Sequence, residues 1–157
     1  MLRSTVILAV WTLLAGAGIP FIGVLNSGMA RSVGNPLGAT AVMFAIAFLV
    51  ALCLSLAFYG GTGYSRIGSA PLSSYGAGLL IGFYALSATI VIPRFGAGNF
   101  ISFILIAQLV TAAVIDQFGL FGMARQPANG LKLMGYLLIL GGVVLVQVAA
   151  KRPLASS

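Results

Sequence analysis

Asp116 is the single acidic residue of the chain. It lies in the stretch Phe100 to Gly122, FISFILIAQLVTAAVIDQFGLFG, where the polar residues that precede it are Ser102, Gln108 and Thr111. A lone carboxylate at the edge of an intramembrane segment is costly unless it faces partner helices, water or a cation, which marks it first as a functional candidate. Gln108, Ala112 and Asp116 are spaced i, i+4, i+8, so the amide and the carboxylate share one broad helical face, with Thr111 nearby. Such a set can exchange a proton or cation at Asp116 and orient a cargo through Gln108, Thr111 and, on the first apolar run, Asn26. Two bland readings stand beside this one. Asp116 can pair with a basic residue such as Arg125 or accept backbone N–H groups in the turn before Gly119. Asn26 can serve packing or helix capping as well as substrate lining.

Other chemistries are excluded by residue count. The chain has no histidine, one cysteine (Cys53) and one acid. A zinc site, a catalytic triad and a paired-carboxylate site are therefore ruled out within one chain, and no nucleophile–base pair supports an enzyme. No cofactor is implied. An intrachain disulfide is impossible with a single cysteine.

The elements that must hold these residues are set by composition. Of 157 residues, 61% are hydrophobic and 6% charged, against about a quarter charged in a soluble domain. Long apolar runs without alternation point to helices rather than a β-barrel. The expected fold is an all-α integral membrane protein in a single domain over 1–157, with about five transmembrane spans near 5–25, 37–59, 72–92, 99–116 and 131–150. A net charge of +7 does not indicate nucleic acid. The eight basic residues stand singly between apolar runs, where they anchor helix ends at lipid headgroups.

The first run has a start compatible with a signal peptide, but its apolar character continues past Ala17 to Leu25, long enough to span. Thr5, Thr12, Gly16, Gly23 and Ser27 form one small-residue stripe, a face for close helix approach. Pro20 is expected to bend this helix and free a carbonyl. Asn35-Pro36 signals a turn and a helix start. In the second run, Phe44 and Phe48 read as lipid-facing or packing residues. The glycine-rich stretch Gly60 to Gly68 lacks a P-loop ending and reads as an interfacial loop with Tyr59 and Tyr64 at headgroup level. Tyr75, Gly78, Gly82, Ala85 and Thr89 stripe the third run. Pro93 to Gly98 is expected to break it, leaving a fourth run that is the shortest. The fifth run carries Gly135, Gly141, Gly142 and Gln147 and is expected to stop at Lys151-Arg152-Pro153. Gly16, Gly23, Gly78 and Gly82 are the helix-packing candidates.

Five spans divide the basic residues evenly: Arg3, Arg66, Arg125 and Lys132 on one side, Arg31, Arg94, Lys151 and Arg152 on the other. The positive-inside rule then selects no orientation. Either the span count is wrong, or the chain inserts both ways and pairs antiparallel with itself, or it pairs with a partner of fixed opposite orientation. Two five-helix units about an in-plane two-fold make a ten-helix inverted-repeat body with a midplane site.

Gly18-Ile-Pro-Phe-Ile-Gly-Val-Leu-Asn26, Gly34-Asn-Pro-Leu-Gly-Ala-Thr-Ala41, Gln108 to Asp116-Gln-Phe-Gly-Leu-Phe-Gly122 and Leu133-Met-Gly135 to Gly142-Val together resemble the YdcZ-like family of inner-membrane exporters, in the drug/metabolite transporter superfamily. The resemblance covers nearly the whole chain. Its most specific piece is Asp-x-Phe-Gly-x-x-Gly with Gln eight residues before the Asp. The family often has Gln early in the first helix, where this chain has Phe21 or Ile22. The resemblance implies about five helices, location in a bacterial inner membrane, export, and dual topology or paired homologous subunits. The related small multidrug resistance proteins carry a membrane-embedded Glu in the first helix. This chain has none there, so Asp116 is the only carboxylate available for coupling.

The expected function is a small secondary transporter exporting a small hydrophobic or metabolite-like compound, working as an antiparallel homodimer or with a paired homologous subunit in contact with membrane lipid. The alternatives are a channel lined by Gln108 and Thr111 in an oligomer, or a non-transporting subunit that stabilises a partner.

Overall fold

A computed structural model describes residues 2–150 of the chain, with side chains from Thr5 to Ala149. Arg3's side chain and the expected stop at Lys151-Arg152-Pro153 lie outside the described residues. The helices are α1 (Leu2–Val33), α2 (Pro36–Tyr59), α3 (Leu72–Phe95), α4 (Ala97–Phe118) and α5 (Gly130–Ala150), with short 3₁₀ turns at Tyr64–Ser69 and Leu120–Gly122. All five helices are long and apolar enough to cross a membrane.

Helix ends follow from local chemistry. The 32 residues of α1 reach about 48 Å at the usual rise of an α-helix, well past the expected end at Leu25. Pro20 lies inside the helix, and no breaker follows until Gly34, whose φ of +71° only glycine adopts without strain. Asn26 and Arg31 are thus both helical. Helix α2 starts on a side-chain cap, the Asn35 Oδ1 accepting from the Gly38 N–H at 3.1 Å, with Pro36 in the first turn. It ends at Gly60, in the left-handed region, whose N–H donates to the Leu56 carbonyl. Helix α3 runs through Pro93 and stops only at Gly96. The fourth helix is not the short one: α4 has 22 residues, about 33 Å, against 21 for α5. The break expected at Pro93 falls at Gly96 because proline removes one hydrogen bond without forcing the chain out of helical φ.

The chain divides into two compact units, α1–α3 and α4–α5, with the boundary at Ala97 and Gly98. In the first unit α1 packs against both α2 and α3, and these two also meet. The seam of α1 and α3 is made mostly of small residues. Ala30, Ala85, Ala88 and Ile92 are buried there, with Ser27 and Thr89 among them. A Cβ placed on Gly23 would lie 2.3 Å from Ile92 Cδ1 and 3.5 Å from Ala88 Cβ. Gly23 therefore sits where α3 comes closest. The other ends of the two small-residue stripes behave differently. Around Gly16, Gly78 and Gly82 nothing lies within 4 Å of an added Cβ. The two stripes are thus filled in their C-terminal halves and open in their N-terminal halves.

Outward faces are apolar. Trp11, Phe48, Phe58, Leu79 and Phe83 are all strongly exposed, as helices surrounded by hydrocarbon require. In the second unit, α4 and α5 flank an apolar groove of about 340 Å³ lined by Leu109, Ala113, Phe118, Leu133, Tyr136 and Leu140, with Gln117 at its polar end.

Gly23→Leu should lower the stability of the detergent-solubilised protein by about 1–3 kcal/mol through overpacking against Ile92. Thermal unfolding should show partial recovery on adding Ile92→Ala, while Gly16→Leu leaves the monomer's stability unchanged.

Candidate functional site

Two polar constellations stand out, one in each unit. The first centres on Asn26, which is 4% exposed. Its amide nitrogen donates to Thr40 Oγ1 on α2 at 3.1 Å and to Thr89 Oγ1 on α3 at 2.7 Å. The orientation of the amide follows from the hydroxyls. Thr40 gives its own hydrogen to the Pro36 carbonyl at 2.9 Å, and Thr89 gives its own to Ala85 at 2.8 Å. Both oxygens are then left as acceptors, so the NH₂ group of Asn26 must face them. A single side chain thereby joins three helices. The Asn26 Oδ1 is buried with no partner among the described residues. Asn26 is also the one polar side chain lining a cavity of about 230 Å³ between α1 and α2, with Ile22, Leu25, Met29, Met43 and Ile46.

Ser27, one residue on, secures the same seam. Pro93 has no N–H, so the Thr89 carbonyl four residues earlier loses its helical donor. The Ser27 Oγ lies 3.2 Å from that carbonyl and 2.7 Å from the Gly23 carbonyl of its own helix. Thr40, Thr89 and Ser27 as partners of one another were not legible as a set. Thr89 and Ser27 each lie on a small-residue stripe, but Thr40 stands in the most uniformly apolar run, and only its place four residues after the Pro36 helix start hints at a role.

The second constellation closes the α4–α5 unit. Lys132 Nζ lies 2.8 Å from Asp116 Oδ2, with the two side chains 28% and 36% exposed respectively. The basic partner of Asp116 is therefore Lys132 rather than Arg125. Arg125 Nε instead donates to the Gln117 carbonyl at 2.9 Å. The intervening loop folds back over the end of α4. Gln126 N–H donates to the Asp116 carbonyl at 2.8 Å, and Ala128 N–H donates to Gln117 Oε1 at 3.0 Å. Asn129 caps α5 by accepting from the Lys132 N–H at 2.8 Å, which fixes Lys132 in the first turn. Its ammonium lies 6.0 Å from the ring centre of Tyr136, a residue of the apolar groove.

Both charges oppose the fields of their own helices. Asp116 sits in the last turn of α4, where carbonyls concentrate negative potential, and Lys132 in the first turn of α5, where N–H groups concentrate positive potential. Each is unfavourable alone, and each compensates the other. The backbone of the motif supports the same turn. Gly119 and Gly122 have φ of +63° and +78°, and a Cβ on Gly119 would meet the Met123 carbonyl at 3.1 Å and Arg125 Cβ at 3.3 Å.

Gln108 and Thr111 lie on α4 N-terminal to Asp116 and are exposed. The structure thus joins Asp116 to Lys132, sets Gln108 and Thr111 on the same helix, and holds Asn26 in the other unit.

A family model described as "Putative inner membrane exporter, YdcZ" matches residues 7–145. The chain belongs to this family. No curated protein and no solved structure matches it. Three of the segments that carry the YdcZ resemblance, 18–26, 34–41 and 108–122, hold Asn26, Thr40 with the Asn35 cap, and Asp116 with both loop glycines.

Asn26→Leu should destabilise the α1–α3 unit by about 0.5–2 kcal/mol, the range for interhelical hydrogen bonds in membranes. Unfolding by denaturant in mixed micelles measures this, and Thr40→Val in the Asn26→Leu background should then add little.

Proposed function

We propose that the chain is one half of a secondary transporter that exports a small hydrophobic or metabolite-like compound, with Asp116 as the group that binds a coupling proton or cation. The observation that carries this reading is the Asp116–Lys132 pair beside the apolar groove of α4 and α5. A purely structural pair would be better the other way round, with the cation ending α4 and the acid starting α5, since both helix fields would then add to its stability. The order found here keeps a carboxylate next to the groove and makes its bond to Lys132 one that a proton or a cationic group can exchange. An apolar groove with a polar end suits a mainly apolar cargo. Family membership supports export.

The charge-swapped variant Asp116→Lys with Lys132→Asp separates the roles. It should match or exceed the wild type in thermal stability, by up to about 1 kcal/mol for each charge placed with its helix field. It should also lose proton movement in proteoliposomes loaded with a pH-reporting dye and challenged with a panel of small hydrophobic acids, amines and neutral compounds. Retained, saturable proton movement in the swapped variant would reduce Asp116 to a loop anchor. Flux that never saturates would favour the channel reading, in which Gln108 and Thr111 line an oligomeric pore.

The working unit we infer is an antiparallel pair, formed with a second copy or with a homologous subunit of opposite orientation. The open stripe ends at Gly16, Gly78 and Gly82 offer small-residue surface for close helix approach. The exposed Gln108 on α4 would gain a partner or a cargo contact in such a body. A cysteine introduced at Ser65, in the loop after α2, with Cys53→Ser, should label from outside intact cells in roughly half of the molecules. A single orientation would move the assignment to a fixed, oppositely oriented homologue. Gly78→Leu should weaken the pair while leaving monomer stability unchanged.

A further inference from the structure

The α1–α3 unit contains a second cavity that the transport reading does not use. It has a volume of about 250 Å³ and lies where the C-terminal ends of α1 and α3 meet the start of α2. Its walls include Arg31, Arg94, Gly34, Pro36, Ser27 and Thr89. Arg31 stands in the last turn of α1 and Arg94 in the last turn of α3, so two exposed arginines line one opening from different helices. Neither has a hydrogen-bond or ion-pair partner among the described residues. The one acid of the chain is held by Lys132 in the other unit. Ser27 and Thr89, 1% and 2% exposed, also line the cavity, but their hydroxyl hydrogens go to the Gly23 and Ala85 carbonyls, so the arginines are its side-chain donors. The start of α2 brings partial positive charge and the ends of α1 and α3 partial negative charge, and the two full charges of Arg31 and Arg94 leave the cavity positive.

We propose that this cavity is a binding site for a phosphate-type oxyanion clamped between Arg31 and Arg94. The chemistry selects phosphate over a simple carboxylate. One planar guanidinium fork satisfies both oxygens of a carboxylate, whereas two forks from different directions need the further oxygens of a phosphate group. The source is either the headgroup of a phospholipid, which lies at the depth of arginines that end membrane helices, or a free phosphorylated small molecule. The site is independent of Asp116 and of the groove between α4 and α5.

The test uses the full chain purified in detergent and in nanodiscs, with phosphatidylglycerol and inorganic phosphate as probes. Native mass spectrometry should find saturable retention of about one phosphatidylglycerol per chain if the source is lipid, and excess inorganic phosphate should not displace it. If the source is free phosphate, inorganic phosphate should raise the unfolding temperature of protein held in phosphatidylcholine nanodiscs. In either case Arg31→Gln with Arg94→Gln should weaken binding by about tenfold or more, given the strength of hydrogen bonds between charged groups. Arg66→Gln and Arg125→Gln should leave it unchanged. The double lysine variant, Arg31→Lys with Arg94→Lys, keeps the charge and loses the forks, so it should bind several-fold more weakly while melting like the wild type. It carries the test if the glutamine pair fails to fold. Binding that the lysine pair retains in full, or that falls equally with Arg66→Gln, would reduce the effect to bulk charge and overturn the clamp. No binding of either probe would overturn it as well.

Discussion

A polar atom in hydrocarbon has no water to receive its hydrogen bond, and the placing of side chains in both units follows from that constraint. Apolar residues can face outward almost anywhere on these helices, so they define membrane depth but not packing. Position is set by the few groups that must find a partner inside the protein. In the α1–α3 unit this is the Asn26 amide, which reaches α2 through Thr40 and α3 through Thr89. Glycine and alanine on the seam let the backbones approach closely enough for those bonds to form.

The α4–α5 unit meets the same constraint with ions. Its pair is partly exposed and tied to a folded loop, and the loop takes up the last carbonyls of α4 through Gln126 and Arg125. One unit therefore has a neutral, buried junction that holds helices in place. The other has a charged, partly exposed one that ties a folded loop to two helix ends.

Much of this was legible in the residues themselves. The five helices follow from apolar run length, and polarity in an apolar setting marks Asp116 and Asn26 as residues that must find partners. Helix ends were less legible, because proline weakens a membrane helix without stopping it, while glycine at positive φ does stop it. The true ends thus fall at Gly34 and Gly96 rather than near Leu25 or at Pro93. Partners were hardest to read. Arg125 is nearer to Asp116 in sequence, yet the Asn129 cap turns α5 so that Lys132 comes back to it. Stripe periodicity marked Gly16, Gly23, Gly78 and Gly82 alike. Only three-dimensional crossing distinguishes Gly23, because two crossing helices meet over a limited length.

The hydroxyl bonds of the first unit also bear on how the protein is made. Ser27, Thr40 and Thr89 each donate to a carbonyl four residues back in their own helix. Each of these residues can therefore leave the translocon and enter lipid alone with its hydrogen already bonded. Asn26 cannot, since its amide hydrogens are taken only by helices synthesised later. During biogenesis α1 thus enters the bilayer with an unmet demand that α2 meets in part and α3 completes. This gives the nascent chain a chemical reason to wait for its third helix before diffusing away from the insertion machinery.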